Sequence, residues 1–436
     1  MQEYTRKVTP FGRLIVATVL GMGTSVAPLV LLGFGLSTFI IIRIVGQNQA
    51  TAAYGFASGI IGIAVVIFGI FGGVLADKFQ FKIGRRRFWI AAGSVGGALS
   101  MLTLTYANNL FTFIAALAAV NFFYFMVTLS CSALVPEQVE ESKYGRVSGL
   151  MGAAAPALVM IGQMLMGVFA ESTLEQKMIA ILLIQLLGGF TAFFLIKDNY
   201  IPVEQRVKKP KTGIRGFYPS FKEHPSYTWA LLTKLFINFS NAGLSMLTLF
   251  YIARFHLGEA DIFRIMGYTA PTILLMVAAG LLGGYLSDKV RKQKPFVFGA
   301  AVVTGACLVT FAFSNNITWV IAGNFIFNFG FGMYNAVDNA LVNRILPSKE
   351  EAGKYISMMN VTTNLSSSLV NFAAPSLIAL GVLLFGGDGY TLFFLVLAAF
   401  SVLSAVFVLP IPEMSPGKPE PQEPNASKST NQEAIV

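Results

Sequence analysis

Gly72-Gly73-Val74-Leu75-Ala76-Asp77-Lys78 recurs as Gly283-Gly284-Tyr285-Leu286-Ser287-Asp288-Lys289, 211 residues further along a chain of 436. Each copy closes an apolar run and opens a basic loop. A repeat at half the chain length, set at the end of an apolar run, implies two homologous halves. Each half reads as a helical membrane bundle, the architecture of carriers.

Composition supports the membrane reading. The chain is 55% hydrophobic and 12% charged, where soluble domains carry about 25% charge. Its apolar runs reach roughly 20 residues or more, enough to cross ~30 Å of hydrocarbon as helices. No cleavable leader pattern precedes the first run, so that run is expected to be a span. Twelve spans are expected, near residues 14–42, 51–75, 88–107, 110–134, 147–170, 178–196, 227–252, 262–286, 295–314, 317–342, 355–385 and 389–410. The fold class is an all-α membrane protein in two pseudo-symmetric six-helix bundles. Residues 1–196 form the first bundle, 197–226 a cytoplasmic linker, 227–410 the second bundle and 411–436 a Pro/Glu/Gln/Ser-rich tail expected to be disordered.

Lys and Arg set the expected orientation. With the N-terminus inside, 26 of the 31 basic residues fall in cytoplasmic segments, and only Arg43, Lys177, Arg254 and Arg264 fall outside. Both termini are therefore expected in the cytoplasm, at the cell membrane. The net charge of +10 follows alternate loops and is not interleaved with aromatic residues, so nucleic acid is not the implied partner. The two cysteines, Cys131 and Cys307, lie in apolar runs and imply neither disulfide nor metal site. His224 and His256 fall in opposite loops, and no nucleophile–base set or phosphate loop accompanies them. No enzyme activity and no cofactor are expected; the partners are the lipid bilayer and a small solute.

With these features in place, the chain resembles the major facilitator superfamily over the whole twelve-span region. The most specific stretch is Gly73-x3-Asp77-Lys78-x5-Gly84-Arg85-Arg86-Arg87, a lengthened form of that family's loop motif. It is similar to the form in the sucrose-transporter and glycoside–pentoside–hexuronide cation symporter branches. Leu134-Val135-Pro136-Glu137-Gln138-Val139, followed by Gly145-Arg146, resembles the segment after span 4 in that group. Two departures are clear. Spans 2 and 4 hold no Asp or Glu, and Ser132, not Arg, follows Cys131. The branch's cation site and sugar-binding arginine are therefore not carried over.

The resemblance implies that Asp77 faces the start of span 11, near Gly353-Lys354-Tyr355, when the cytoplasmic side is closed. A carboxylate beside a helix N-terminus gains ~0.3–1 kcal/mol, so the contact would favour the outward-facing state. Arg85 or Arg86 is placed to link the loop to Glu137. Asp288, with Lys289 after it, is expected to make the mirrored contact toward span 5.

Polar residues at helical spacing mark the faces turned away from lipid. Asn324, Asn328, Asn335, Asp338 and Asn339 fall within about 100° of arc on span 10, and Lys234, Asn238, Asn241, Ser245 and Thr248 within about 80° on span 7. Span 4 contributes Asn121, Tyr124 and Thr128, and span 1 contributes Ser25. Such stripes are either bonds between neighbouring helices or the lining of a solute site. The resemblance places spans 1, 4, 7 and 10 around a central cavity. Lys234 and Asp338, at similar depth, are expected to pair, either structurally or as a protonation-linked switch, and Asp338 is the candidate proton carrier by elimination. The expected function is alternating-access transport of a small polar solute, a sugar or glycoside, by a monomer coupled to protons. An exporter of amphipathic compounds and a non-transporting sensor are the alternatives.

Overall fold

The computed structural model describes residues 9–78, 81, 83–140, 143–198, 224–345 and 352–412. Residues 199–223 of the linker and 413–436 of the tail lie outside them, as do the side chains of Asp77, Arg146 and Lys354. Twelve helical spans are present, with no strand among the described residues: α1 Phe11–Val45, α2 Gln47–Lys78, α3 Arg85–Thr105, α4 Leu110–Gln138, α5 Tyr144–Val168, α6 Leu174–Leu195, α7 Pro225–Phe255, α8 Glu259–Val290, α9 Lys294–Phe313, α10 Ile317–Arg344, α11 Ala352–Phe385 and α12 Tyr390–Phe407. The fold is that of two six-helix membrane bundles. Local chemistry sets several starts. Asn109 and Asn316 accept backbone N–H bonds at the N-termini of α4 and α10, and Thr173 and Gln176 form a capping box on α6. Pro225 occupies the first turn of α7, where its missing N–H costs nothing.

Eleven of the described helices are long and apolar enough to cross a membrane. The twelfth, α10, falls short because its asparagines and Asp338 dilute its apolar content. A helix that crosses hydrocarbon while carrying such groups must turn them toward protein or a cavity.

Two helices break at matching places. A π-helical turn interrupts α1 at Leu32–Leu36, and a 3-10 turn interrupts α7 at Gly243–Met246. Their first residues are 211 apart, the spacing of the repeated loop motif. Irregular backbone at membrane depth is tolerated where protein or a cavity surrounds it. Here Thr248 Oγ1 donates to the Phe34 carbonyl at 2.6 Å, joining the two breaks across the bundles.

Among the described residues, the bundles share a core in the half away from the basic loops. There one cluster runs through both, from Leu36, Ile40 and Tyr54 to Phe250, Phe263 and Ile378. Near the basic loops the cores separate. Leu14, Ile90, Val127 and Leu134 belong to the first bundle, and Ile237, Val297, Tyr334 and Leu341 to the second. The closed half is also where α5 meets α8 and α2 meets α11. A Cβ on Gly167 would lie 2.6 Å from the Gly267 Cα, so α5 and α8 touch backbone to backbone. Buried Lys177 of α6 pairs with Glu259 of α8 at 2.9 Å, donates to the Ala170 carbonyl at 2.9 Å and lies 4.2 Å from the Phe263 ring centre. Arg264 of α8 pairs with Glu171 beyond α5. Gly84 takes φ +112°, in the region that favours glycine.

Candidate functional site

Between the bundles lies a cavity of about 550 Å³. The first bundle supplies Val26, Val30, Gly33 and Phe34 from α1, and Ala155, Pro156, Val159 and Gln163 from α5. Among the described lining residues, Gln163 is the only amide or hydroxyl side chain on that wall. The second bundle supplies Asn241, Ser245, Thr248 and Tyr251 from α7, Met266, Thr269, Thr272 and Met276 around α8, Asn324, Asn328 and Phe331 from α10, and Ser367 from α11. None of the described lining residues is charged. One wall is therefore apolar and the other amphipathic, a division that suits a solute with a greasy body and few hydrogen-bonding groups.

The residues expected at the site divide into two groups. Asn241, Ser245, Asn324 and Asn328 line the cavity. Asn328 Nδ2 donates to the Asn324 carbonyl and side-chain oxygens, both at 2.8 Å. Ser245 donates to Asn371 Oδ1 at 2.8 Å. Asn238, Asn335, Asn121, Tyr124, Thr128 and Ser25 are not among the lining residues. Four of them satisfy carbonyls of their own helices. Asn121 Nδ2 donates to the Leu117 carbonyl, Thr128 to that of Phe125, Ser25 to that of Gly21 and Asn238 to that of Lys234. Tyr124 is fully buried against α3 at Gly97. Span 4 thus packs inside its own bundle and leaves this wall to α5, whose Gln163 was passed over as a lone polar residue in an apolar span.

Below the cavity, toward the basic loops, Lys234 and Asp338 meet. Lys234 Nζ lies 3.4 Å from Asp338 Oδ2 and donates to Asn339 Oδ1 at 3.4 Å; the Tyr334 hydroxyl donates to Asp338 Oδ1 at 3.3 Å. Both charged side chains are buried, at 10% and 1% exposure. Each is expensive to hold at membrane depth alone, so the pair stabilises itself by neutralisation. It lies within the second bundle, about two helical turns from Asn241.

At the basic loop, Arg85 and Arg86 both pair with Glu137 of α4, with Arg86 at 2.6 Å. Arg87 donates to the Phe193 carbonyl at 3.1 Å and covers the Phe193 ring at 4.5 Å. Asp198, which no motif marks, accepts the backbone N–H groups of Arg86 at 2.5 Å and Arg87 at 3.2 Å, capping α3. A Cβ on Gly84 would sit 2.7 Å from that carboxylate. Gly84→Ala is therefore expected to lower stability by about 1–3 kcal/mol through backbone strain and loss of the cap. A thermal melt of the purified protein checks this; an unchanged Tm would remove the loop from the list of structural supports. Gly73 precedes this loop on α2, Lys78 ends that helix, and the Asp77 side chain is outside the described residues. Asp288 and Lys289 are exposed. The expected approach of Asp288 to Gly145-Arg146 ends on a residue whose side chain is not described.

Two six-helix bundles with a cavity between them, whose described lining carries no charge, define the class: a helical membrane transporter. The chain matches the Major Facilitator Superfamily over residues 11–371 and belongs to it. Among characterised relatives it is 24% identical to the multi-drug resistance efflux pump PmrA of Streptococcus pneumoniae serotype 4, over 70% of this chain and 74% of the pump. Its fold is similar to that of the nucleoside transporter NupG (TM-score 0.70, 14% identity, 92% of this chain and 99% of that one). It is likewise similar to a D-xylose–proton symporter (TM-score 0.67, 15% identity, 92% and 98%).

Proposed function

We propose that this transporter exports small, uncharged amphipathic compounds from the cytoplasm across the cell membrane. The observation that carries the reading is the cavity wall: apolar on the first bundle apart from Gln163, lined by amides and hydroxyls on the second, with no described charge. The likeness to an efflux pump supports it. The bias of basic residues puts the basic loops in the cytoplasm, with both termini and the 197–226 linker. On that orientation the closed half faces outward, and the cavity loads from inside. The monomer holds the complete cavity, and the Lys234–Asp338 pair is the candidate site of proton coupling.

A second reading, import of a sugar or glycoside with a proton, is favoured by the Asn324–Asn328 ladder and by the lengthened loop motif. Counterflow in proteoliposomes distinguishes them. The panel comprises a neutral naphthyl ketone, a nucleoside, a disaccharide and an aryl glycoside, with and without a pH gradient. Saturable counterflow of the ketone and none of the disaccharide is expected. Saturable disaccharide counterflow moves the assignment to the sugar reading, and saturation by no compound returns the chain to a sensor.

A further inference from the structure

Most polar side chains around the cavity are already engaged or sealed. Thr248 donates to the Phe34 carbonyl, Ser245 to Asn371, Thr269 to the Ile265 carbonyl and Asn328 to Asn324. The Tyr251 hydroxyl is closed off from solvent. Gln163 differs from all of these. It lines the cavity, and its amide makes no hydrogen bond among the described residues. Its amide atoms are also open, unlike those of Gln185, which are sealed inside the first bundle. On the second bundle Asn241 and Thr272 are likewise uncommitted, but among the described lining residues Gln163 is the one such group on the first.

Its place on α5 gives that amide a setting. Pro156, Val159, Gln163 and Gly167 follow one another at helical spacing and so share one face. The first three line the cavity, and Gly167 touches Gly267 of α8. The Gln163 backbone oxygen lies only 3.7 Å from where a Cβ on Gly267 would sit. Gln163 is therefore the last cavity residue before the bundles meet, at the closed end of an apolar wall. Its neighbours leave the amide unbonded. The lining residues of α1 are Val26, Val30, Gly33 and Phe34, and the Thr269 hydroxyl of α8 is spent on its own helix. An uncommitted amide at membrane depth costs free energy that a methionine of similar length would not. A protein that keeps one on an otherwise apolar wall has a visitor to satisfy it.

We propose that Gln163 determines specificity: its Nε2 donates to a carbonyl oxygen of the cargo, a ketone, amide or ester, whose apolar remainder packs along Val159, Val30 and Phe34. This rests on the amphipathic-cargo reading above and adds the orientation: carbonyl end toward the closed half, greasy end toward the basic loops. The bond forms one helical turn from the Gly167–Gly267 crossing, so the polar end of the cargo lies beside the contact that must part for outward release.

The test uses full-length protein in nanodiscs and two probes: 6-propionyl-2-dimethylaminonaphthalene and 6-propyl-2-dimethylaminonaphthalene, which lacks the carbonyl oxygen. Each Kd is read by fluorescence titration. Gln163→Met keeps the length of the side chain and removes the amide, and Gln163→Leu is a second apolar variant. Each is expected to weaken the ketone by roughly 5- to 10-fold, the value of one hydrogen bond. The propyl compound's Kd should stay constant and the Tm should not fall, since no bond within the protein is lost. The ratio of the two Kd values cancels any general damage to the cavity. Equal weakening of both probes would assign Gln163 to packing and overturn the proposal. An unchanged ketone Kd in both variants, with wild type binding both probes, overturns it and leaves the amphipathic reading standing. Wild type that binds neither probe while a disaccharide saturates it overturns both.

Discussion

Replacing Gly167 by leucine is expected to stop transport and hold the closed half open. The reason is local. A first side-chain atom on Gly167 meets the Gly267 Cα at 2.6 Å, and one on Gly267 meets the Gly167 Cα at 2.7 Å. Backbone cannot rotate out of the way as a long side chain can, so α5 and α8 must separate. Overpacking of this kind costs about 1–3 kcal/mol or more. It falls only on the state in which the helices touch, so at about 3 kcal/mol the two-state ratio moves by roughly 150-fold. Separation also breaks Lys177 from Glu259 and Arg264 from Glu171, which removes further support from the closed state. Accessibility provides the measurement. With Cys131 and Cys307 replaced, a single Thr269→Cys in the cavity wall reports entry of a membrane-impermeant maleimide from the outward face. Labelling should be slow in wild type and fast with Gly167→Leu, while counterflow is lost. Slow labelling with intact counterflow in Gly167→Leu would mean that the crossing does not govern closure.

Much of this fold was legible in the sequence because lipid imposes one length and one composition on every span. The twelve helices follow the apolar runs to within a few residues, including α10, which alone of the twelve falls short of the length and apolar content of a span. The cavity was less legible. Periodicity identifies the face of a helix that avoids lipid, but it cannot separate a face turned to solute from one turned to a neighbouring helix. Asn324, Asn328, Asn241 and Ser245 proved to line the cavity. Ser25, Asn121 and Thr128 satisfy carbonyls of their own helices, and Tyr124 fills a groove at Gly97. Gln163 was overlooked for the converse reason: it is a lone polar group on an apolar stretch, and only tertiary packing brings it to the cavity. Asp198 caps a helix through an N–H 112 positions earlier, a pairing no local pattern encodes. Family resemblance reached the superfamily, which the match over residues 11–371 shows, and its finer branch belongs with the sugar reading.

Asp338→Asn is expected to have the largest effect within the second bundle, and the double variant Lys234→Met/Asp338→Leu decides what kind of effect it is. Removing only the carboxylate leaves Lys234 at 8% exposure with Asn339 as a neutral neighbour. Breaking a buried pair in this way costs about 3–5 kcal/mol, whereas replacing both partners by apolar groups of similar volume is often neutral. A purely structural pair therefore predicts a sharp fall in Tm for the single variant, with Tm and pH-driven accumulation both restored in the double variant. A coupling pair predicts the same recovery of Tm without recovery of accumulation. Equilibrative counterflow would persist, since the cavity lies about two helical turns away and keeps its lining. We expect the second pattern. The pair is held at membrane depth by groups from two helices, with the Tyr334 hydroxyl donating to one carboxylate oxygen and Lys234 beside the other. A bundle that needed only packing there would be served as well by Met and Leu. Proteoliposome uptake with and without an imposed pH gradient, set beside a melt of each variant, separates the two, and accumulation by the double variant at the wild-type level would remove Asp338 from the proton path.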